Sequence, residues 1–436
     1  MTSISDLPVC ILIQIFSHIK TIRQTADLRL VCQQWNQLIL RYWSRREKYT
    51  MTQYITSPES FLEYASAIAK RHPRIKELSV EPVNKFANPA TIEDVPSHYD
   101  VIGKLFLSLE KLNFIDTLME DEVLNAIVKN CPKLRSLSLQ SCHEISDTGL
   151  SLAIKNAPHI KELELICCPE VDSDLAPACR HLSALSFENC PFDADSWTKL
   201  SEAGGKENLE KIAACPMKYD TLCLISQKFP HLKDIYINEF DDEDQFISEN
   251  YHGFPSLETL RITFGSVSDK SKLLQITSKC GKIRTLWVWN CINSATPTFI
   301  AEVLEQHVNS VEHLILDDNP AGQLEKIDLR NFSKLKKITI IGTTLTNQLI
   351  QRIIDASPCL RFLDISDCVP PSKLDIKATH NDFWLNTRPL PQRPSNIGID
   401  PPYRAGYRTN YEAYEGPILE LSCGDKPKYY YKVHDK

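Results

Sequence analysis

Apolar residues along the chain follow two rhythms. In the first 45 residues they recur at helical spacing: Ile11, Ile15 and Ile19, with Leu12 and Phe16, form stripes, and Leu28, Val31, Cys32 and Trp35 follow at i, i+3, i+4 and i+7. This predicts two helices, the first starting near Pro8 with Asp6 as its cap, the second carrying Leu28 to Trp35. From residue 58 to 368 the rhythm becomes a repeat of about 26 residues built on Leu-x-x-Leu-x-Leu. Copies include Leu134, Leu137 and Leu139; Leu257, Leu260 and Ile262; and Leu360, Leu363 and Ile365. About twelve copies are readable, and from Leu109 on their first members lie 22 to 28 residues apart.

The last positions of each copy alternate apolar and polar, which predicts a short strand with one buried face. A turn and a helical stretch follow. Ser57 with Pro58 and Thr296 with Pro297 read as helix starts, a capping hydroxyl followed by Pro at the first helical position. Pro73, Pro132, Pro158, Pro230, Pro255 and Pro358 stand just ahead of strands, where Pro ends the preceding helix. One strand plus one helix cannot bury its own apolar face, but stacked copies share a continuous core. Residues 82–100, with Pro82, Pro89 and Pro96, read as a surface insertion, and Ala214 weakens the unit that starts at Leu209.

This pattern resembles the leucine-rich repeat family. The resemblance implies an α/β solenoid, a horseshoe with a parallel sheet on its concave face and helices outside. Cys131 and Cys142, Cys179 and Cys190, and Cys280 and Cys291 are each 11 residues apart and bracket the Leu triplets, as in the cysteine-containing subclass. No Cys-x-x-Cys pair occurs, so these cysteines read as small buried side chains and not as zinc ligands.

The N-terminal helices resemble the F-box, through the Leu7-Pro8 opening, the Ile15-Phe16-Ser17-His18 block, and Val31-Cys32 followed by Trp35. The resemblance implies docking on the Skp-type adaptor of a cullin-RING ubiquitin ligase. Leu7, Pro8, Ile11, Leu12, Ile15, Phe16, Leu28, Val31, Cys32 and Trp35 would form the docking surface, shared with the module's own core. Cys10 and Gln33 depart from the Glu and Arg common in the family. The plainer alternative is a helical cap on the repeat array. The expected organisation is thus a small all-α F-box module at 1–48, repeats at 58–368, and a Pro- and Tyr-rich tail at 369–436 that caps the array or is partly disordered.

In a strand, residues between the buried positions point to the opposite face. Successive strands place Tyr236, Arg261 and Trp287 consecutively in one row, with Trp289 two residues on and Asp317 on the next strand. Tyr, Trp and Arg are enriched at binding hot spots. This row is the expected substrate-binding surface; cover by a loop or by the chain's own tail is the alternative.

Composition narrows the function. The chain carries a net charge of -7, with 42% hydrophobic and 24% charged residues, an ordinary globular mix. Residues 1–45 carry about +3 and 369–436 about +2, leaving about -12 in the centre, which argues against general nucleic-acid binding. The apolar run Val9 to Ile13 is far short of the roughly 20 residues of a membrane span. No basic residue precedes it, so no secretory signal is read. The 15 cysteines are then expected in a reducing compartment, cytoplasm or nucleus. With 13 glycines, and no phosphate loop, His-Glu-x-x-His or Gly-x-Ser-x-Gly, nothing points to catalysis, a cofactor or a metal.

Two short segments stand apart. Asp241-Asp242-Glu243-Asp244 reads as a solvated loop, or less simply as a site for a basic partner. Arg388-Pro389-Leu390-Pro391-Gln392-Arg393-Pro394 has the form of an SH3 ligand, against the simpler reading of an extended capping segment anchored by Ile418, Leu419 and Leu421. The expected function is a non-catalytic substrate receptor of a Skp-cullin-F-box ligase, holding an unidentified protein for ubiquitination and degradation. A repeat scaffold without degradation is the alternative.

Overall fold

The computed structural model describes residues 4, 7–17, 27–51, 58–81, 99–215, 217–238, 250–263, 270–289, 302–303, 305–317, 332–369, 376, 384–386 and 430–432. The acidic run at 241–244, the Pro-rich motif at 388–394, the anchor at 418–421, the Thr296-Pro297 helix start, Cys291 and most of the 82–100 segment lie outside these residues. The chain divides into two compact units, Met1–Leu182 and Ser183–Lys436.

The first unit opens with helices α1 (Val9–Ser17) and α2 (Gln33–Arg45). The expected continuous second helix from Leu28 is interrupted. Leu30 and Val31 donate to the carbonyls of Asp27 and Leu28 in a turn. Cys32 is fully extended (φ -161°, ψ 168°), and its Sγ accepts from the Trp35 amide at 3.5 Å. Cys32 therefore acts as the cap, meeting an amide that would otherwise lack a partner. Strand β1 (Lys48–Met51) follows, then α3 (Pro58–Arg71), β2 (Glu77–Val80), α4 (Val101–Leu105), β3 (Lys111–Ile115), α5 (Asp121–Asn130), β4 (Ser136–Gln140), α6 (Asp147–Asn156), β5 (Glu162–Ile166) and a 3₁₀ helix, Ser173–His181.

Strands β1 to β5 are parallel neighbours in chain order, and the Leu positions pair across them: Leu112 with Leu137, and Leu137 with Leu163. Leu134, Leu137 and Leu139 are fully buried. Strands β3, β4 and β5 are each followed by a left-handed residue, Asp116, Ser141 and Cys167, with φ of 51°, 52° and 51°. The next residue then turns inward. Cys142 and Cys168 are fully buried there. The Cys168 thiol lies 3.5 Å from the carbonyls of both Leu139 and Ile166. Burial pushes the thiol of Cys131 up to about 11 and that of Cys142 up to about 12. Both are therefore poor nucleophiles and poor metal ligands near neutrality.

Helix starts are stitched between repeats. The Asp121 carboxylate accepts from the Ser146 amide (2.9 Å) and hydroxyl (2.5 Å), and Ser146 caps α6 through the Gly149 amide at 3.1 Å. A Cβ at Gly149 would lie 1.9 Å from Asp121 Cγ, so only glycine fits.

The second unit holds β6 (Ala184–Glu188), α7 (Ala194–Glu202), β7 (Lys211–Cys215), α8 (Tyr219–Lys228), β8 (Asp234–Asn238), β9 (Thr259–Thr263), α9 (Lys270–Ser278), β10 (Thr285–Trp289), β11 (His313–Asp317), β12 (Lys337–Thr344), α10 (Asn347–Asp355), β13 (Phe362–Val369), β14 (Trp384–Asn386) and β15 (Tyr430–Lys432). Neighbours from β6 to β14 are parallel, and β15 pairs antiparallel with β14. The weak unit is repaired by aromatics. Ala214 pairs with Phe187, whose ring stacks on Phe192 at 3.8 Å, and Phe192 meets Trp197 edge-on at 5.1 Å.

One further regularity runs along the strand starts. The residue just ahead of each strand donates its amide to the same position of the previous repeat, and the side chains there largely alternate in sign. The first unit has Glu47, Lys76, Glu110, Arg135 and Lys161; the second has Ser183, Glu210, Lys233, Glu258, Arg284, Glu312, Lys336 and Arg361, so the alternation breaks at Arg135 and Lys161 and again at Lys336 and Arg361. Lys76 bridges Glu47 and Glu110 at 3.6 Å each, Lys233 meets Glu210 at 2.7 Å and Lys336 meets Glu312 at 3.1 Å. Opposite charges on neighbouring rungs favour their pairing, whereas Arg135 beside Lys161 and Lys336 beside Arg361 gain nothing from it.

Candidate protein-binding surfaces

The N-terminal helices close a small core of Leu12, Phe16, Trp35, Leu38, Ile39 and Trp43, with Leu7, Ile15, Leu28, Cys32 and Tyr42 packed at its margin. Phe16 meets Trp35 edge-on at 5.1 Å. Leu12, Phe16 and Trp35 were expected on the docking surface. They are 0%, 0% and 6% exposed and belong to the module's core, the other role the sequence allowed for Leu12 and Phe16. Four large apolar side chains expected in no role face outward instead: Ile4, Val9, Leu30 and Leu40. With Pro8 and the expected Val31, they are exposed; Leu30 reaches 86% and Val31 57%. Ile11 is half-buried. The Cys32 break produces this exposure, because the turn it ends carries Leu30 and Val31 away from the core.

The module is fused to the first repeat. His72 Nδ1 lies 2.8 Å from the Trp43 carbonyl oxygen, and the His72 ring packs 5.8 Å from Trp43 and 5.3 Å from Tyr49. The guanidiniums of Arg29 and Arg71 lie over Trp43, and that of Arg46 over Tyr49.

On the second unit, strand register sets Tyr236 beside Arg261 and Arg261 beside Trp287, as the spacing predicts. Trp289 pairs with Asp317 in backbone register; the side chains of both lie outside the described residues. An exposed Trp was expected at 287, but Trp287 is only 9% exposed. Arg261 lies over its ring at 5.6 Å, and Ile315 is its register partner on the other side. Its indole N–H is buried and meets no hydrogen-bond partner among the described residues. Arg261 is held in turn by Asp234 at 2.5 Å. Asp234 went unread in the sequence, although it stands two residues before Tyr236 and so on the same face.

Comparison with known families agrees with this geometry. An F-box-like family matches residues 4–47, and a Leucine Rich repeat matches residues 130–152. The chain carries an F-box-like module at its N-terminus followed by leucine-rich repeat sequence. A chain of the Rad7 and Elc1 complex in yeast is similar in structure, with 14% identity, 88% of this chain and 98% of that chain covered, and a TM-score of 0.41. An F-box joined to repeats supports a recognition role, and proteins of this build are in general non-catalytic adaptors. Among the described residues, no group of His, Cys, Asp and Glu is placed to hold a metal ion, no cysteine is in a disulfide, and no helix is long and apolar enough to cross a membrane.

Proposed function

We propose that this F-box protein is a substrate-recognition subunit of a Skp-cullin-F-box ubiquitin ligase. The F-box docks on a Skp-type adaptor, which brings the cullin and RING subunits. The repeats hold a protein partner near the charged ubiquitin carrier, raising its effective concentration there. Work in the cytoplasm or nucleus, with degradation of the partner, belongs to the same reading. The observation that carries it is the outward apolar set on the F-box. A helix pair that served only as a cap would turn its large apolar residues inward, whereas Leu30 and Val31 stand in solvent beside a closed core.

The test is retention of a Skp-type adaptor and cullin by the full chain, beside a Leu30→Asp/Val31→Asp variant. Trp35 is unsuited to this purpose because it belongs to the core. Retention by the wild type, and its loss in a variant with unchanged circular dichroism, supports the reading. Adaptor retention without cullin, or no retention, leaves the protein as a non-degradative repeat scaffold.

A further inference from the structure

A groove of about 1440 Å³ runs along the strand-start edge of the second unit, lined from Lys233 to Lys334. Backbone hydrogen bonds between consecutive repeats run beneath it. Phe254 and Cys280 form a bridge between consecutive repeats. Gly281 donates to the Phe254 carbonyl at 2.8 Å, and Phe254 to that of Lys279 at 3.2 Å. Glycine is required at this seam: Gly253 has φ +79°, and a Cβ at Gly281 would lie 2.3 Å from the Pro255 carbonyl oxygen.

The lining is basic on an acidic chain, with five Lys or Arg side chains against two carboxylates. One of those carboxylates is already in an ion pair and the other lies near a lining lysine. Glu312 bonds Lys336 at 3.1 Å. Its carboxyl is held below the usual range first by Lys336 and further by the nearby Arg284 and Lys334, so three cations crowd one carboxylate. Glu258 lies near Lys233, which already meets Glu210 at 2.7 Å. Lys279 donates to the Tyr251 carbonyl at 2.9 Å. Lys282, Arg284 and Lys334 are exposed, and none of the three is in an ion pair among the described residues.

We propose that this groove holds an extended acidic segment of a protein partner, with Lys282, Arg284 and Lys334 meeting its carboxylates. Four strand spacings from β8 to β12, at about 4.8 Å each, span about 19 Å, or about six extended residues. A peptide fits better than a nucleic acid. Glu258 and Glu312 interrupt the basic row at alternate rungs, and a phosphate on every nucleotide would meet them, whereas a peptide can space its charges to miss them. The inference deepens the recognition half of the proposed function and rests on it only in taking the partner to be a protein.

The probe is a fluorescein-labelled Gly-Glu-Gly-Gly-Glu-Gly peptide, whose carboxylates three residues apart match alternate rungs about 10 Å apart, read by anisotropy with the full chain and no adaptor, so that failure here leaves F-box docking untouched. Binding is expected at low salt, with about a tenfold loss at 0.15 M salt and about a tenfold loss in Arg284→Glu/Lys334→Glu. Circular dichroism checks that this variant folds. A Lys161→Glu control, in the first unit, should bind like the wild type. The proposal is overturned by no binding, by equal binding of a hexalysine peptide, by an unchanged affinity in the double variant, or by tighter binding of a single-stranded oligonucleotide.

Discussion

Cys32 shows how one side chain redirects a surface. Spacing alone places Leu28, Val31, Cys32 and Trp35 on one helical face, yet the Sγ of Cys32 caps the helix instead. The two kinds of apolar residue on either side of that break should separate cleanly on mutation. Trp35→Ala removes a buried ring packed on Phe16 and should cost about 3–5 kcal/mol. Val31→Ser, at an exposed position, should change stability by less than about 0.5 kcal/mol. Urea denaturation of the two variants decides this, and a Val31→Ser loss as large as that of Trp35→Ala would place Val31 in the core. Buried thiols offer a second check. With Cys131 and Cys142 pushed up to about 11 and 12, iodoacetamide at pH 8 should spare both in the folded chain and label both in denaturant. Mass spectrometry reads the labelling, and rapid modification of the folded protein would contradict the burial. Sequence could name Arg261 and Trp287 as neighbours because strand spacing fixes register. It could not show Trp287 covered, because cover depends on how Arg261 turns, and Asp234 decides that.

Elements were legible wherever period and punctuation agreed. α3 starts at Pro58, and Pro73, Pro132, Pro158, Pro230 and Pro358 sit in turns just after helices. Histidines near those ends carried no such signal, yet they set a pH dependence. Burial lowers the pKa of His72, His181 and His307, and Arg46, Arg71, Lys161 and Arg180 add to this around the first two. Burial, helped by Lys337, takes His313 down to about 3. Each gives up its proton at a lower pH in the folded chain than in the unfolded one, where it titrates near pH 6.5. The unfolded chain therefore binds more protons as pH falls, and stability declines below about pH 6.5. A single histidine contributes at most about 1.4 kcal/mol per pH unit. His307→Gln, which can still donate to the Thr277 carbonyl now 3.2 Å from His307 Nε2, should flatten the decline between pH 7 and 5. Melting temperatures across that range test it, and an unchanged slope would remove His307 from the account.

Across the first unit, the F-box and the opening repeats behave as one body, because the last turn of α2 supplies both a ring and a carbonyl to His72. Trp43 is 1% exposed and His72 1%, so neither side of this seam is finished without the other. In a repeat array, order passes between nearest neighbours, and loss at one end should spread only as far as adjacent contacts carry it. Trp43→Ala opens a cavity between α2 and His72 by removing the ring that packs there, while the backbone carbonyl that meets His72 Nδ1 stays. Amide exchange in this variant should quicken through α1, α2 and β1 and partly in β2, while β4 and β5, enclosed by Leu137 and Leu163, keep their protection. Adaptor binding should weaken together with β1 exchange, since the docking surface is held in place from the repeat side. If β1 keeps wild-type protection while α2 exchanges freely, the F-box is tethered and not fused. A partner held on the repeats would then have no fixed orientation towards the adaptor, and the ligase reading would need a flexible geometry in place of a rigid one.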